Sequence, residues 1–170
     1  MNGNAIPVLR TSRLQLVAPQ ARHFEAFAAL HTEPETMRHV GEGRPFDRVE
    51  AWLHLAMLIG HWQLRGYGTW MAEEAGSGRF AGSVGLFHPG DWDEAELNWM
   101  IAPAMRGQGL AVEAAQAVRD FAFETLRLPS LISLIRPGNA ASSRIATRLG
   151  AVQSETIDFL GNPMQVYRYR

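Results

Sequence analysis

Glu96-Leu-Asn-Trp-Met-Ile-Ala-Pro-Ala-Met-Arg-Gly-Gln-Gly-Leu-Ala-Val-Glu-Ala-Ala115 passes from a strand through a glycine turn into a helix. Its side chains from Ala95 to Ile101 alternate, with Ala95, Leu97, Trp99 and Ile101 on one face and Glu96, Asn98 and Met100 on the other. Pro103 has no N–H to give to a ladder and ends the pairing. In Arg106-Gly-Gln-Gly-Leu-Ala111 the two glycines permit a turn with φ > 0 or a close backbone approach to a ligand. From Leu110 onward, Leu110, Ala114, Ala117, Val118 and Phe121 oppose Glu113, Gln116, Arg119, Asp120 and Glu124. That spacing predicts an amphipathic helix of about four turns.

A glycine turn opening onto a helix N-terminus presents unpaired N–H groups and roughly half a positive charge, which suits an anion and above all a phosphate. A P-loop needs a lysine, and the chain has none. A dinucleotide fingerprint needs a third small residue where Val112 stands. What remains is R-x-x-G-x-A at Arg106, Gly109 and Ala111, a pattern an ordinary tight turn could also produce. It resembles the acetyl-CoA pyrophosphate loop of the GNAT superfamily of N-acetyltransferases.

The flanking chain carries the resemblance further. Val8 to Val17 reads as a first strand, and its Thr11-Ser-Arg-Leu-Gln-Leu resembles the T-x-R-L-x-L opening of the ribosomal-protein-alanine N-acetyltransferase (RimJ/RimL-like) branch. Residues 21 to 31 place Phe24, Phe27, Ala28 and His31 at helical spacing, and residues 32 to 46 read as a loop. Asp47-Arg-Val-Glu50 is a capping signature ahead of a helix to about Leu64. Apolar stripes on two sides of that helix (Val49, Trp52, Leu53, Ala56 and Ile59; Leu55, Leu58 and Trp62) predict core packing on both, or a hydrophobic wall for a substrate or second subunit. Gly66 to Glu74 and Arg79 to Phe87 form a hairpin about Ala75-Gly-Ser-Gly78, and a turn at 89 to 93 leads to the central strand. Leu131 to Ile135 reads as a strand buried on both faces. Asn139 is an N-cap for a helix from Ala140 to Leu149 with Ala141, Ile145 and Leu149 buried, and strands near 152 to 157 and 164 to 169 finish the chain. Asn139-Ala-Ala-Ser142 with Leu149-Gly150 is similar to a second GNAT signature.

The order of elements predicts an α/β (α+β) domain from residue 8 to 169: a mixed, mostly antiparallel twisted sheet of six to seven strands with about four helices. A right-handed crossover would make the strands before and after the phosphate loop parallel. The GNAT resemblance implies that this central pair is splayed around the cofactor, acetyl-CoA, which serves as acyl-donor substrate. By the same resemblance, Trp99, Met100, Ile101 and Asn139 line the pantetheine arm, and Arg106, Gly107, Gln108, Gly109, Leu110 and Ala111 hold the pyrophosphate. A backbone N–H near Met100 would polarise the thioester carbonyl.

Glu96 matches a strand glutamate of the ribosomal-protein branch and is the candidate base for the acceptor ammonium, with Glu94 and His88 in reserve. It could instead be a solvated carboxylate or only orient the amine. Many GNAT enzymes take a thiol-protonating tyrosine from the last helix, but residues 140 to 149 contain none. Ser142 is the candidate donor there, unless its hydroxyl bonds its own helix backbone. The implied function is N-acetylation of a primary amine, either a protein N-terminus or a small molecule, by direct attack in a ternary complex. The alternative is a non-catalytic acyl-CoA-binding sensor or interaction domain. The loop at 32 to 46 would choose the acceptor, or merely connect two helices.

Composition bounds the rest. At 170 residues, 46% hydrophobic and 19% charged, the chain has the content of one soluble globular domain. A net charge of −1 advertises no nucleic acid, although every one of the sixteen basic residues is arginine. Without cysteine there is no disulfide, thiolate metal site or thiol nucleophile, and no metal is expected. Met1 to Pro7 has neither a basic region nor an apolar run, and no segment approaches a membrane span, so a cytoplasmic monomer or homodimer is expected.

Overall fold

Eight strands form one sheet in the order β1-β2-β3-β4-β5-β6-β8-β7. The computed structural model describes residues 6–90, 92–159 and 161–170, so the readings that fall on residues 1–5 and on Asp91 of the 89–93 turn lie outside it. The chain opens with β1 (Leu9–Arg10) and β2 (Leu14–Val17), then α1 (Phe24–Thr32), α2 (Pro34–Met37) and α3 (Arg48–Arg65). A meander of β3 (Thr69–Glu74), β4 (Phe80–Phe87) and β5 (Ala95–Ile101) leads to α4 (Leu110–Asp120). β6 (Leu131–Ile135), α5 (Ala140–Arg148), β7 (Val152–Phe159) and β8 (Asn162–Tyr169) complete it. Every neighbouring pair is antiparallel except β5 and β6, which α4 joins as a crossover.

Two differences from the expected count have local causes. The single strand expected over 8 to 17 is split because Thr11 turns out of the ladder, its hydroxyl accepting the Leu14 N–H at 2.9 Å. A fifth helix, α2, forms inside the expected loop because Glu33 caps it, accepting from the N–H groups of Glu35 and Thr36, with Pro34 in its first turn.

Alternation along β3 assigns the two layers. Met71 packs with Phe27 of α1 and with Leu55 and Leu58 of α3, while Trp70 and Ala72 belong to the larger cluster that holds Leu110, Ala114 and Val118 of α4. Helices therefore cover the sheet on both faces. α3 starts on the Asp47/Glu50 capping box and stops at Gly66, which has φ 75°. Only one of its apolar stripes is buried: Leu55, Leu58 and Trp62 face inward, whereas Val49 is 66% and Trp52 and Leu53 are each 56% exposed. The expected packing on both sides is corrected, since among the described residues nothing covers the outer stripe.

α5 is also rotated from its expected setting. Ala146 and Leu149 are buried and Ala141 is exposed, which turns the first helical turn toward the cavity described below. On β6, Leu131, Ser133 and Ile135 are buried, but Leu134 opens onto that cavity, so the strand is not buried on both faces.

Candidate active site

β5 and β6 are paired only at Ala95–Leu131 and Glu96–Ile132, although β5 continues to Ile101 and β6 to Ile135. Beyond Glu96 the strands part. The gap opens into a cavity of about 400 Å³ lined by Glu96, Asn98, Trp99, Met100, Asn139 and Ser142. The first-turn serine and the central-strand glutamate thus meet one space although they lie far apart in sequence.

Glu96 projects from β5 at the point of separation. Its Oε1 accepts the Leu134 N–H at 3.4 Å, and among the described residues it has no cationic partner. Burial pushes its pKa up to about 7, and the Leu134 bond opposes that only in part. Glu94, by contrast, is tied to Arg168 at 2.9 Å and to the Ser130 hydroxyl, bonds that hold its carboxyl below the usual range. Both ring nitrogens of His88 are occupied, one by the Tyr67 hydroxyl and one by the Trp92 carbonyl. Neither reserve base faces the cavity.

Strand parity decides which backbone groups face the gap. The Met100 carbonyl lies against Gly82 on β4, only 2.0 Å from where a Cβ would stand, so the backbone groups of Met100 point away from β6. The Leu97 carbonyl instead accepts the Ser133 hydroxyl from β6. N–H and C=O of one residue share an edge, so Trp99, two residues on from Leu97, directs its N–H into the opening. The N–H near Met100 that opens to the gap is therefore that of Trp99. Met100 contributes its side chain to the cavity wall.

At the start of α5, Asn139 Oδ1 accepts the Ser142 N–H at 3.2 Å as a helix cap. The Ser142 hydroxyl bonds neither its own backbone nor any other described residue. At the end of β5, Gly107 and Gly109 adopt φ of 75° and 79°, and Gly109 is the N-cap of α4. The Glu113 N–H donates to the Gly109 carbonyl at 3.1 Å, so the N–H groups of Leu110, Ala111 and Val112 precede the first bond of the helix and form the open donor set that an anion requires. The Arg106 guanidinium points elsewhere: it donates to the Ile101 carbonyl at 3.0 Å and to the Thr36 hydroxyl, and lies 3.9 Å from Glu33. In this conformation Arg106 braces α2 against the loop.

The Acetyltransferase (GNAT) domain family matches residues 13–152. The chain belongs to the GNAT acetyltransferases. An acetyltransferase from Agrobacterium tumefaciens of known structure is 34% identical, with a TM-score of 0.88 over 98% of this chain and 96% of that one. The FsC-acetyl coenzyme A-N(2)-transacetylase of Aspergillus fumigatus is 32% identical over 92% of this chain and 69% of its own length. RimL, a ribosomal-protein alpha-N-acetyltransferase solved with coenzyme A, shares the fold at 18% identity, with a TM-score of 0.77 and 96% of each chain covered. GNAT enzymes are acetyl-CoA-dependent N-acetyltransferases, and the splayed strands, the open loop and the free Ser142 hydroxyl of this GNAT chain are compatible with that donor.

One GNAT residue near the loop was given no role by its sequence. Arg13, within the T-x-R-L-x-L phrase, donates from Nη1 to the Gln108 carbonyl at 2.8 Å and places Nη2 3.6 Å from a Cβ built on Gly109. With Thr11 and Ser12 it grips Glu113, in the first turn of α4. The phrase was visible, but its partner lies about a hundred residues away, and no spacing rule connects them. The cavity wall also includes His39, Val40, Glu42 and Phe46, so the stretch from 32 to 46 borders the site.

Proposed function

We propose that this GNAT enzyme transfers acetyl directly from acetyl-CoA to a primary amine, with Glu96 as base and Ser142 as donor to the leaving sulfur. The observation that carries the proposal is a cavity-facing Glu96 carboxylate without a cationic partner, at the point where the central strands separate. An ammonium cannot attack a thioester, so Glu96 takes its proton. The freed nitrogen adds to the carbonyl carbon, the C–S bond breaks, and the nitrogen's surplus proton reaches the thiolate through the Ser142 hydroxyl, which gives one proton to sulfur as it takes up another and ends unchanged. A thiol pKa of about 8.5 makes that last demand slight. The Trp99 N–H supplies the dipole for charge developing on the carbonyl oxygen.

Residues Gly107 to Ala111 are assigned to the pyrophosphate, and Trp99, Met100, Ile101 and Asn139 to the arm that reaches the gap. Acceptors within this reading are a protein α-amine, as the RimL name suggests, or a small amine; the transacetylase of Aspergillus fumigatus is named for transfer to an N(2) nitrogen. Among the described residues no helix is long and apolar enough to cross a membrane, which is compatible with a cytoplasmic enzyme, monomeric or dimeric. A non-catalytic acyl-CoA sensor would have no use for a poised Glu96 or a free Ser142 hydroxyl.

Steady-state kinetics of Glu96→Gln and Ser142→Ala test the assignment. Glu96→Gln is expected to lower kcat about tenfold or more with acetyl-CoA binding unchanged, and Ser142→Ala to lower it less. Unchanged turnover in Glu96→Gln would remove that residue from the mechanism.

A further inference from the structure

The cavity beyond the strand gap is walled by rings from distant parts of the chain. On one side His31 of α1, Phe46 and His54 of α3 form a triangle with centroid separations of 5.1 to 5.5 Å. On the other, Trp92 stands edge-on to Phe87 at 5.8 Å and to Phe159 at 5.4 Å. All six rings line the cavity that contains Glu96. Such walls favour a flat apolar body, and their faces attract a cation.

Charge narrows the class further. Among the described residues no arginine lines the cavity, and the chain contains no lysine. The imidazoles there are uncharged at neutral pH, because burial lowers the pKa of His31 and His39 and brings that of His54 down to about 4. His31 donates from Nδ1 to the Phe27 carbonyl at 2.8 Å, which leaves Nε2 as an acceptor. A carboxylate or phosphate entering this space would lose its hydration, while the guanidinium groups behind the wall are turned to the wall itself, Arg136 to the Gly41 carbonyl and the Asn162 side chain and Arg38 to His39 at 3.3 Å. Among the described residues only two carboxylates reach the wall, and Glu42 is turned to Arg44 at 3.0 Å, so a polyamine would have one place there for one ammonium. A cavity of about 400 Å³ is at the small end for ligand sites and must also admit the acetyl end of the donor.

We infer that the acceptor is a small aromatic monoamine without a carboxylate, its ring held between the His31/Phe46/His54 and Phe87/Trp92/Phe159 walls and its amine at Glu96. The inference rests on the catalytic reading above and adds the substrate class.

The test compares four acceptors with the purified enzyme and acetyl-CoA, by release of free thiol: 2-phenylethylamine, phenylalanine, spermidine and a peptide with a free N-terminal alanine. The first two differ only by the carboxylate. 2-Phenylethylamine is expected to have a kcat/KM about tenfold or more above each of the others. Equal or better use of any of them overturns the inference, as does no turnover of 2-phenylethylamine. Acetylation of any other amine would then leave the catalytic reading standing, and acetylation of none would remove both. Trp92→Ala and, on the opposite wall, Phe46→Leu are expected to raise the KM for 2-phenylethylamine about fivefold while that for acetyl-CoA stays within about twofold. If either folded variant leaves the amine KM unmoved, its ring does not hold the acceptor.

Discussion

A carboxyl group that burial raises to about 7 imposes a pH dependence on both rate and stability. Below that value Glu96 is protonated and cannot take the amine's proton, so kcat/KM should climb as pH rises through about 7. Glu96→Gln should remove that limb of the profile. For stability, the folded state holds this proton more tightly than the unfolded chain does. The favourable contribution is complete below the unfolded value of 4.5 and is lost as pH rises through about 7. At higher pH the ionised, buried group destabilises the fold by up to about 3 kcal/mol. Thermal unfolding should therefore show Glu96→Gln melting above wild type at pH 8.5 and level with it at pH 4. A difference that did not vary with pH would mean the carboxyl is well solvated.

Between the β1–β2 turn and α4 the chain has built a clamp. Glu113 accepts from the Thr11 hydroxyl at 2.6 Å, the Ser12 hydroxyl at 2.9 Å, and the Arg13 N–H and Nε at 2.8 and 2.7 Å. Burial alone would raise this carboxyl, but these bonds outweigh it and hold the pKa at about 2. Glu113→Gln should cost about 1–3 kcal/mol at neutral pH. It should also raise the KM for acetyl-CoA, because the same Arg13 anchors the Gln108 carbonyl of the loop. Here the sign is opposite to that of Glu96: the contribution is present above 4.5 and is lost toward 2, so the gap between variant and wild type should close in acid. Denaturant titration at several pH values measures it. On α3 the two stripes separate cleanly by the same method. Trp62 is 4% exposed and donates to the Thr69 carbonyl at 2.8 Å, so Trp62→Ala should lose about 3–5 kcal/mol. Trp52→Gln on the outer stripe should stay within about 0.5 kcal/mol.

Packed from β2 to β8, the main core cluster joins both halves of the sheet, and the molecule should unfold in one cooperative transition that acetyl-CoA moves upward. Much of this arrangement is legible in the chain, because periods of 2 and 3.6 are written into β5 and α4 and glycines mark the turns between them. The split of the first strand and the existence of α2 are not, since each depends on a side chain, Thr11 or Glu33, bonding nearby backbone in place of continued strand or loop. For the site, Glu96 and Ser142 could be read from motifs, and both do face the cavity. That Trp99 and not Met100 turns its N–H to the gap follows from which edge β4 occupies, and the ring walls arise where residues from four separate elements and two connecting segments converge. Isothermal titration with acetyl-CoA, wild type beside Gly109→Val, tests the donor site most directly. At φ 79° a valine is strained in the very turn that opens the N–H groups. Micromolar binding in the wild type, lost in a folded Gly109→Val protein, is the predicted result; equal heats from both would contradict placement of the pyrophosphate at this loop.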